Sequence, residues 1–234
     1  MQRYFALEKK DNIFTLENGD IHHICNVMRC KEDDSVEVVY DNKLYICRVK
    51  LEPFSIILDK HVEDECNDFL DVCLIIPVLK EQKMDLVLQK ATELGVNRII
   101  PIITERCIVK VSEKEDKKLV RWRKIVKEAS EQCKRVSVPV IDSIRKIDDL
   151  FDLDGVKLVC STVEKSKNIK NVMQTLKKCD RMFIVVGPEG GLSIKEEHKL
   201  NELGFDSISL GSRIMRVETV PLFVLSILNY EMME

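Results

Sequence analysis

FIVVGPEGGLSIKEEHKLNELGFDSISLGSRIMRVETV, residues Phe183 to Val220, sets two glycine-bearing loops after apolar runs, with a strongly capped helix between them. Phe183-Ile184-Val185-Val186 has the length and β-branched content of a buried strand, and Gly187-Pro188 stops it. Ser193-Ile194-Lys195-Glu196 fits the S-x-x-E capping box. Leu200 and Leu203 continue an apolar stripe, and Gly204 is placed to end the helix. Ser207 to Leu210 reads as a second strand, with Gly211 opening a second loop at its carboxyl end. Strand, glycine loop, capped helix, strand and glycine loop make an α/β unit. In open α/β sheets ligands bind beyond the carboxyl ends of strands, where glycine lets backbone groups approach closely. Gly187 to Gly191 lacks the Gly-Lys-Ser/Thr ending of a phosphate-binding P-loop, carries Glu189, which repels phosphate, and fails G-x-G-x-x-G.

Upstream of this unit, apolar runs alternate with helical patterns: Val72 to Pro77, a helix over 82–94, Ile99 to Ile103, a helix over 117–133, Val156 to Cys160 and a helix over 169–178. That rhythm predicts a parallel sheet. Before it, Val36 to Tyr40, Leu44 to Leu51 and Ile56 to Leu58, with a turn at Asp41-Asn42, predict a small antiparallel barrel or sheet. A short helix over 21–28 led by Asp20 as N-cap precedes these strands. The boundary is placed near residues 66–72, giving domains 1–68 and 72–234, with the acidic Glu63-Asp64-Glu65 in an exposed linker. After Thr219 as N-cap, Leu222 to Leu228 is apolar around most of a helical circumference. Such a helix must be buried, in part against another subunit.

At 234 residues the chain suits one ordinary domain and one small one, and 45% hydrophobic with 33% charged residues is the composition of a soluble globular protein. Val220 to Leu228 is the longest apolar stretch, far below the ~20 residues that span a bilayer. No apolar signal segment follows Met1, so a cytoplasmic location is expected. Nine cysteines form no C-x-x-C pair and none has histidine at a zinc-finger spacing, so no metal is expected; they read as reduced core or surface thiols. The net charge of −3 hides an asymmetry. Residues 1–70 hold nine Lys/Arg against fifteen Asp/Glu, whereas 110–135 hold ten against five. In the basic segment Leu119, Trp122, Val126, Ala129 and Cys133 mark one helical face, leaving Lys118, Arg121, Lys124 and Lys127 pointing mostly outward. On charge alone this is a solvated face or a polyanion-binding surface.

Several separated motifs carry a resemblance. They are Lys80 to Asp85 with Gln89 to Val96, Glu105-Arg106-Cys107, Arg121-Trp122 with Glu128 to Gln132, Gly187 to Leu192, and Leu210 to Thr219. With Gln2 to Phe5 and His22 to Arg29 they cover essentially the whole chain, which resembles the 16S ribosomal RNA uridine-N3 methyltransferases of the SPOUT superfamily, the small subunit methyltransferase E type. The resemblance implies a small PUA-like β-barrel, an α/β domain whose C-terminal part forms a trefoil knot, a homodimer through that domain and the C-terminal helix, and S-adenosylmethionine as methyl donor. Its cofactor loops fall on Ser161 and Thr162, on Gly187, Pro188, Glu189, Gly190 and Gly191, and on Leu210, Gly211, Ile214, Met215, Arg216 and Thr219.

Uridine N3 carries a proton and is a weak nucleophile, so the reaction needs an N3 anion held in line with the methyl group. Arg216 is the expected source of positive charge near the uracil oxygens; Glu218 either accepts the proton or, as favoured, orients Arg216. N3 lies on the pairing edge, so the target base must be unpaired or flipped out. Arg3, Arg29, Lys80, Lys83, Arg106, Arg121 and Arg135 are the candidate contacts to 16S RNA or the 30S subunit, although the acidic N-terminal region counts against the first two. Lys83 stands where the family usually has arginine, Lys134 replaces a common glycine, Val220 a common alanine, and a glycine often found near Glu32 to Asp34 is missing. A methyltransferase acting on transfer RNA and a non-catalytic ribosome-binding protein remain alternatives.

Overall fold

A computed structural model describes residues 1–62, 71–107, 115–175 and 181–232. It separates into two units, Met1–Asn67 with Ser130–Val138, and Asp68–Ala129 with Pro139–Glu234.

The first unit contains β1 (Arg3–Phe5), β2 (Glu8–Lys10), β3 (Ile13–Thr15), α1 (Asn18–His22), β4 (Ser35–Tyr40), β5 (Lys43–Leu51) and β6 (Phe54–Val62), in one six-stranded sheet of order β1-β4-β5-β6-β3-β2. Its pairs are antiparallel except β1 with β4, which is parallel. Asp41 and Asn42, both at positive φ, make the tight hairpin between β4 and β5. Alternation on β4 turns Val36 and Val38 inward, where they meet Tyr4, Phe14, Ile24, Val49 and Ile56. The first helix differs from the sequence expectation. It begins at Asn18 behind Glu17, whose carbonyl accepts from the Asp20 and Ile21 N–H groups, and continues as a wider π-turn over His23–Val27. Asp20 is therefore inside the helix and buried, and Glu17 takes the N-cap position expected for it.

Arg3 is 4% exposed. Its Nε donates to Glu37 Oε2 at 2.8 Å, and its guanidinium also donates to the Lys134 carbonyl. Lys134 Nζ reaches the same Glu37 oxygen at 3.0 Å. Burial alone would raise the Glu37 carboxyl, but the bonds from Lys134 and Arg3 together outweigh it and hold it below the ordinary carboxylate range.

The second unit contains β7 (Asp71–Pro77), α2 (Glu81–Glu93), β8 (Arg98–Ile103), α3 (Glu115–Gln132), β9 (Val140–Ile141), β10 (Arg145–Lys146), β11 (Val156–Cys160), α4 (Ile169–Met173), β12 (Arg181–Val186), α5 (Ile194–Glu202), β13 (Asp206–Ile208) and α6 (Thr219–Met232). All strand pairings are parallel, in the order β10-β8-β7-β12-β11-β13 with β9 beside β8. The central strands are covered on both faces, which is why they read as unbroken apolar runs. Met84, Val87, Leu88 and Ala91 form the buried face of α2, and Gly95 at φ +88° ends it. Truncating a fully buried leucine such as Leu88 removes about 2–5 kcal/mol. α3 buries Leu119, Trp122, Val126 and Ala129, four of the five positions of the stripe read from the sequence; the fifth, Cys133, lies just past the end of the helix and is half-buried. The outer part of the helix expected over 169–178 falls partly outside the described residues.

α6 is less enclosed than its composition suggests. Val224, Leu225 and Leu228 are buried and Asn229 donates to the Leu94 carbonyl at 2.8 Å, but Phe223 is 37% and Tyr230 75% exposed. One stripe of the helix serves the core of this chain; the rest of its apolar surface is open.

Candidate active site at the carboxyl edge of the parallel sheet

Because the strands run parallel, the segments after β7, β8, β11, β12 and β13 emerge at one edge of the sheet, bringing together stretches more than a hundred residues apart. Two are stitched directly: Ser161 N–H donates to the Ile208 carbonyl at 2.9 Å and Ser209 N–H to the Lys167 carbonyl at 2.8 Å. Between them lies a cavity of about 530 Å³, within the ~300–1,000 Å³ range of small-molecule sites. Its walls include Ser161, Thr162, Leu210, Gly211, Ile214 and Met215, six of the thirteen expected cofactor residues. Gly211 has φ +114° and open space where a side chain would be, so backbone faces the cavity there. Ile214 is 85% exposed.

The 161–168 wall is held by local bonds. Ser161 Oγ accepts from the Val163 and Glu164 N–H groups. Glu164 accepts from the Ser166 hydroxyl and from the backbone N–H groups of Ser166 and Lys167, which bring its carboxyl down to about 2 and keep it ionised. Cys160, also at the wall, has its thiol pushed up to about 12 by burial, and burial does the same to Cys47 and Cys73. These thiols stay protonated near neutral pH, as the reading of buried cysteines as small hydrophobes requires. Seven cysteines among the described residues are free, and no group of His, Cys, Asp and Glu there could hold a metal. Cys66 and Cys179 lie outside the described residues.

The remaining expected residues sit in a neighbouring cluster. Gly187, Pro188, Glu189, Gly190 and Gly191 turn between β12 and α5, with the Gly191 N–H donating to the Pro188 carbonyl. The capping box of α5 is formed as read, Glu196 Oε2 accepting from Ser193 N–H, while Glu196 Oε1 takes the Glu105 N–H at 2.7 Å. Arg106 donates to the carbonyls of Gly190 at 2.8 Å and Leu192 at 3.3 Å. A Cβ at Gly190 would stand 3.3 Å from the Arg106 side chain, so a larger residue there would push Arg106 aside by a few tenths of an ångström.

Lys83 joins this loop to the next. Its Nζ donates to Glu189 Oε1 at 3.0 Å and pairs with Glu218 Oε2 at 3.3 Å, the latter an ion pair lacking the direction of a hydrogen bond. The Glu218 carboxyl is held below its ordinary range, chiefly by a backbone N–H bond within its own residue. That outweighs desolvation, and the charges of Lys83 and Arg216 add to it. Glu218 is thus ionised at neutral pH. Arg216 is exposed, and its guanidinium has no hydrogen bond or ion pair among the described residues. Thr219 begins α6, its N–H donating to the Arg216 carbonyl at 2.9 Å.

Lys80, Lys83 and Arg121 line a second cavity of about 750 Å³, with Leu79, Glu81, Gln82, Lys117, Lys118 and Trp122. Arg121 is paired with Asp85, and Arg29 is exposed at φ +52°. Arg3 and Arg135, by contrast, are 4% and 8% exposed in the other unit, with Arg135 donating to the Ser137 hydroxyl. Sequence reading did not single out Glu164, Asn168, Ser209 or Lys117, while Lys118 was read among the outward-facing cations of the basic helix. For the first four the only signal was position, just after β11 and β13 or at the start of the basic helix. The link from Lys83 to Glu189 spans 106 residues and leaves no local sign.

Residues 66–229 match the family model described as an RNA methyltransferase domain, and residues 16–55 the RNA methyltransferase PUA domain. A ribosomal RNA small subunit methyltransferase E from Bacillus subtilis is 33% identical, the match covering 99% of this chain and 97% of that protein. Its counterpart of the same name from Aquifex aeolicus is 32% identical over 97% of this chain and 99% of its own length. Among solved structures, a ribosomal RNA small subunit methyltransferase E from Neisseria gonorrhoeae bound to S-adenosyl methionine superimposes with a TM-score of 0.87 at 29% identity, covering 98% of this chain and 97% of that one.

Proposed function

Since this chain belongs to the RNA methyltransferase family, we propose that it transfers a methyl group from S-adenosylmethionine to N3 of a uridine in the 16S RNA of the small ribosomal subunit. The observation that carries this reading is the convergence, at one sheet edge, of a ligand-sized cavity with the two glycine loops that Lys83 ties together.

The cavity residues Ser161, Thr162, Leu210, Gly211, Ile214 and Met215 hold the cofactor, with the loop Gly187 to Gly191 and Arg216 and Thr219 completing the site. Glu164, fixed and ionised at the cavity wall, suits a ligand that carries positive charge. When bound, S-adenosylmethionine supplies an electrophilic methyl group on a sulfonium centre. Arg216, with its guanidinium free of other partners, stabilises the negative charge that spreads onto the uracil oxygens as N3 loses its proton. Glu218 orients Arg216 and is a poor proton acceptor, because its carboxyl sits below the ordinary range. Arg29, Lys80, Lys83, Arg106 and Arg121 contact the RNA; Arg3 and Arg135 serve RNA binding indirectly, by holding the N-terminal unit in shape.

Residues 1–68 act as a PUA-like RNA-binding domain and 72–234 as a SPOUT domain. Its trefoil knot is supported by the position of β12 between β7 and β11 and by the segment after β13 lying against 161–168. The open apolar surface of α6 at Phe223 and Tyr230 supports a homodimer through that helix. Among the described residues no helix is long and apolar enough to cross a membrane, which fits work on ribosomal RNA in the cytoplasm.

Labelled S-adenosylmethionine with 30S subunits lacking modifications, followed by nucleoside analysis, tests the proposal. N3-methyluridine is the expected product; cofactor binding without transfer would overturn the substrate assignment.

A further inference from the structure

The 750 Å³ cavity beside the active-site cluster has an unusual lining for a surface hollow. Leu79 and Trp122 form its floor but are nearly buried, so the apolar surface open to a ligand comes mainly from the stems of Lys80, Lys83, Lys117, Lys118 and Arg121; Gln82 and one carboxylate, Glu81, complete the lining. Of the cations, Lys80, Lys117 and Lys118 have no carboxylate partner among the described residues. Lysines on a protein surface usually stand apart or pair with acids. Three unpaired ones around a hollow raise the local potential and suit a polyanion. Aliphatic stems tipped with ammonium groups match the two parts of a nucleotide in a single strand, whose base needs an apolar face to lie on and whose phosphates need charge. Lys83 belongs both to this lining and to the bridge between Glu189 and Glu218, so the cavity adjoins the residues proposed to carry the reaction.

We propose that this cavity is the seat of a nucleotide flanking the target uridine, its base on the lysine stems above Leu79 and Trp122 and its phosphates on Lys80, Lys117 and Lys118. The inference rests on the methyltransferase reading above and adds to it where the RNA strand runs. An unstacked neighbour held here keeps the strand open, which a reaction on the pairing edge of uridine requires.

The test compares wild type with Lys117→Ala/Lys118→Ala and with a control, Lys124→Ala/Lys146→Ala, that removes the same charge outside the cavity. Binding of a ~12-nucleotide oligouridylate is followed by anisotropy across salt concentrations, and by the fluorescence of Trp122, the single tryptophan of the chain. In the cavity variant the oligonucleotide Kd should rise roughly tenfold or more, and the salt slope should shrink by about 1.4 for two lost phosphate contacts. Trp122 emission should change on binding in the wild type and less in the variant, while S-adenosylmethionine binding stays within about twofold. The control should bind the oligonucleotide like the wild type. Equal losses in the two variants, or an unresponsive Trp122, would overturn the proposal. Methyl transfer by the same preparations separates the two claims. A wild type that binds RNA through the cavity without transferring methyl overturns the function alone, and one that transfers methyl while both variants bind alike overturns the cavity alone.

Discussion

In the N-terminal unit Arg3 is buried against Glu37 and the Lys134 carbonyl, whereas at the carboxyl edge of the parallel sheet Arg216 stands exposed with its guanidinium unpaired among the described residues. Both are arginines in motifs shared with the same family, yet their surroundings give them different work. A buried guanidinium whose bonds are already made to its own chain holds that chain together. One left open is available to a ligand. Counting basic residues cannot separate the two.

The largest effect expected is on the buried side of this comparison. Arg3→Ala strands the Glu37 carboxylate beside Lys134 alone and should lower unfolding free energy by about 3–5 kcal/mol in urea titrations. Unchanged stability with weakened RNA binding would erase the distinction between the arginines. Arg216→Ala is the converse. Methyl transfer to 30S subunits should fall about 10²- to 10³-fold with stability within ~0.5 kcal/mol of wild type, and near-normal turnover would remove Arg216 from the reaction. Gly190→Ala sharpens the picture of the open edge by pressing a methyl group toward Arg106. S-adenosylmethionine affinity by calorimetry should drop roughly tenfold, or ~1.4 kcal/mol, with the fold retained. The smallest effect is on pH dependence. Because the folded Glu37 carboxyl lies below its unfolded value, its contribution is complete above the ordinary carboxylate range near ~4.3 and is lost as pH falls through the folded value. Glu37→Gln should therefore flatten the acid limb of the stability profile measured by urea unfolding, and an unchanged limb would show the pair to be thermodynamically idle.

Much of the edge was legible because its signals are local. The run to Val186, the Ser193–Glu196 box and Gly204 lie within a few residues of what they determine, and each is found where the letters place it. Asp20 misled because the helix starts three residues earlier, behind Glu17, which puts Asp20 in the first turn and not at the N-cap. The burial of Arg3 was hidden in a three-residue strand whose parallel partner begins more than thirty residues later, and the Lys83 bridge was hidden by still greater separation. Net charge added nothing at either place, since it is silent about which cations face one another.

Lys83 has the middle place in a three-membered chain of charges, with Glu189 and Glu218 at the ends. Such an arrangement has a hub, and damage to it is not additive. Loss of either acid leaves the lysine one partner, so the second loss should cost more than the first, while loss of the lysine leaves two like charges facing each other. Substitutions at 189 and 218 should accordingly be tolerated singly more often than together, and position 83 should be open to arginine but closed to neutral residues.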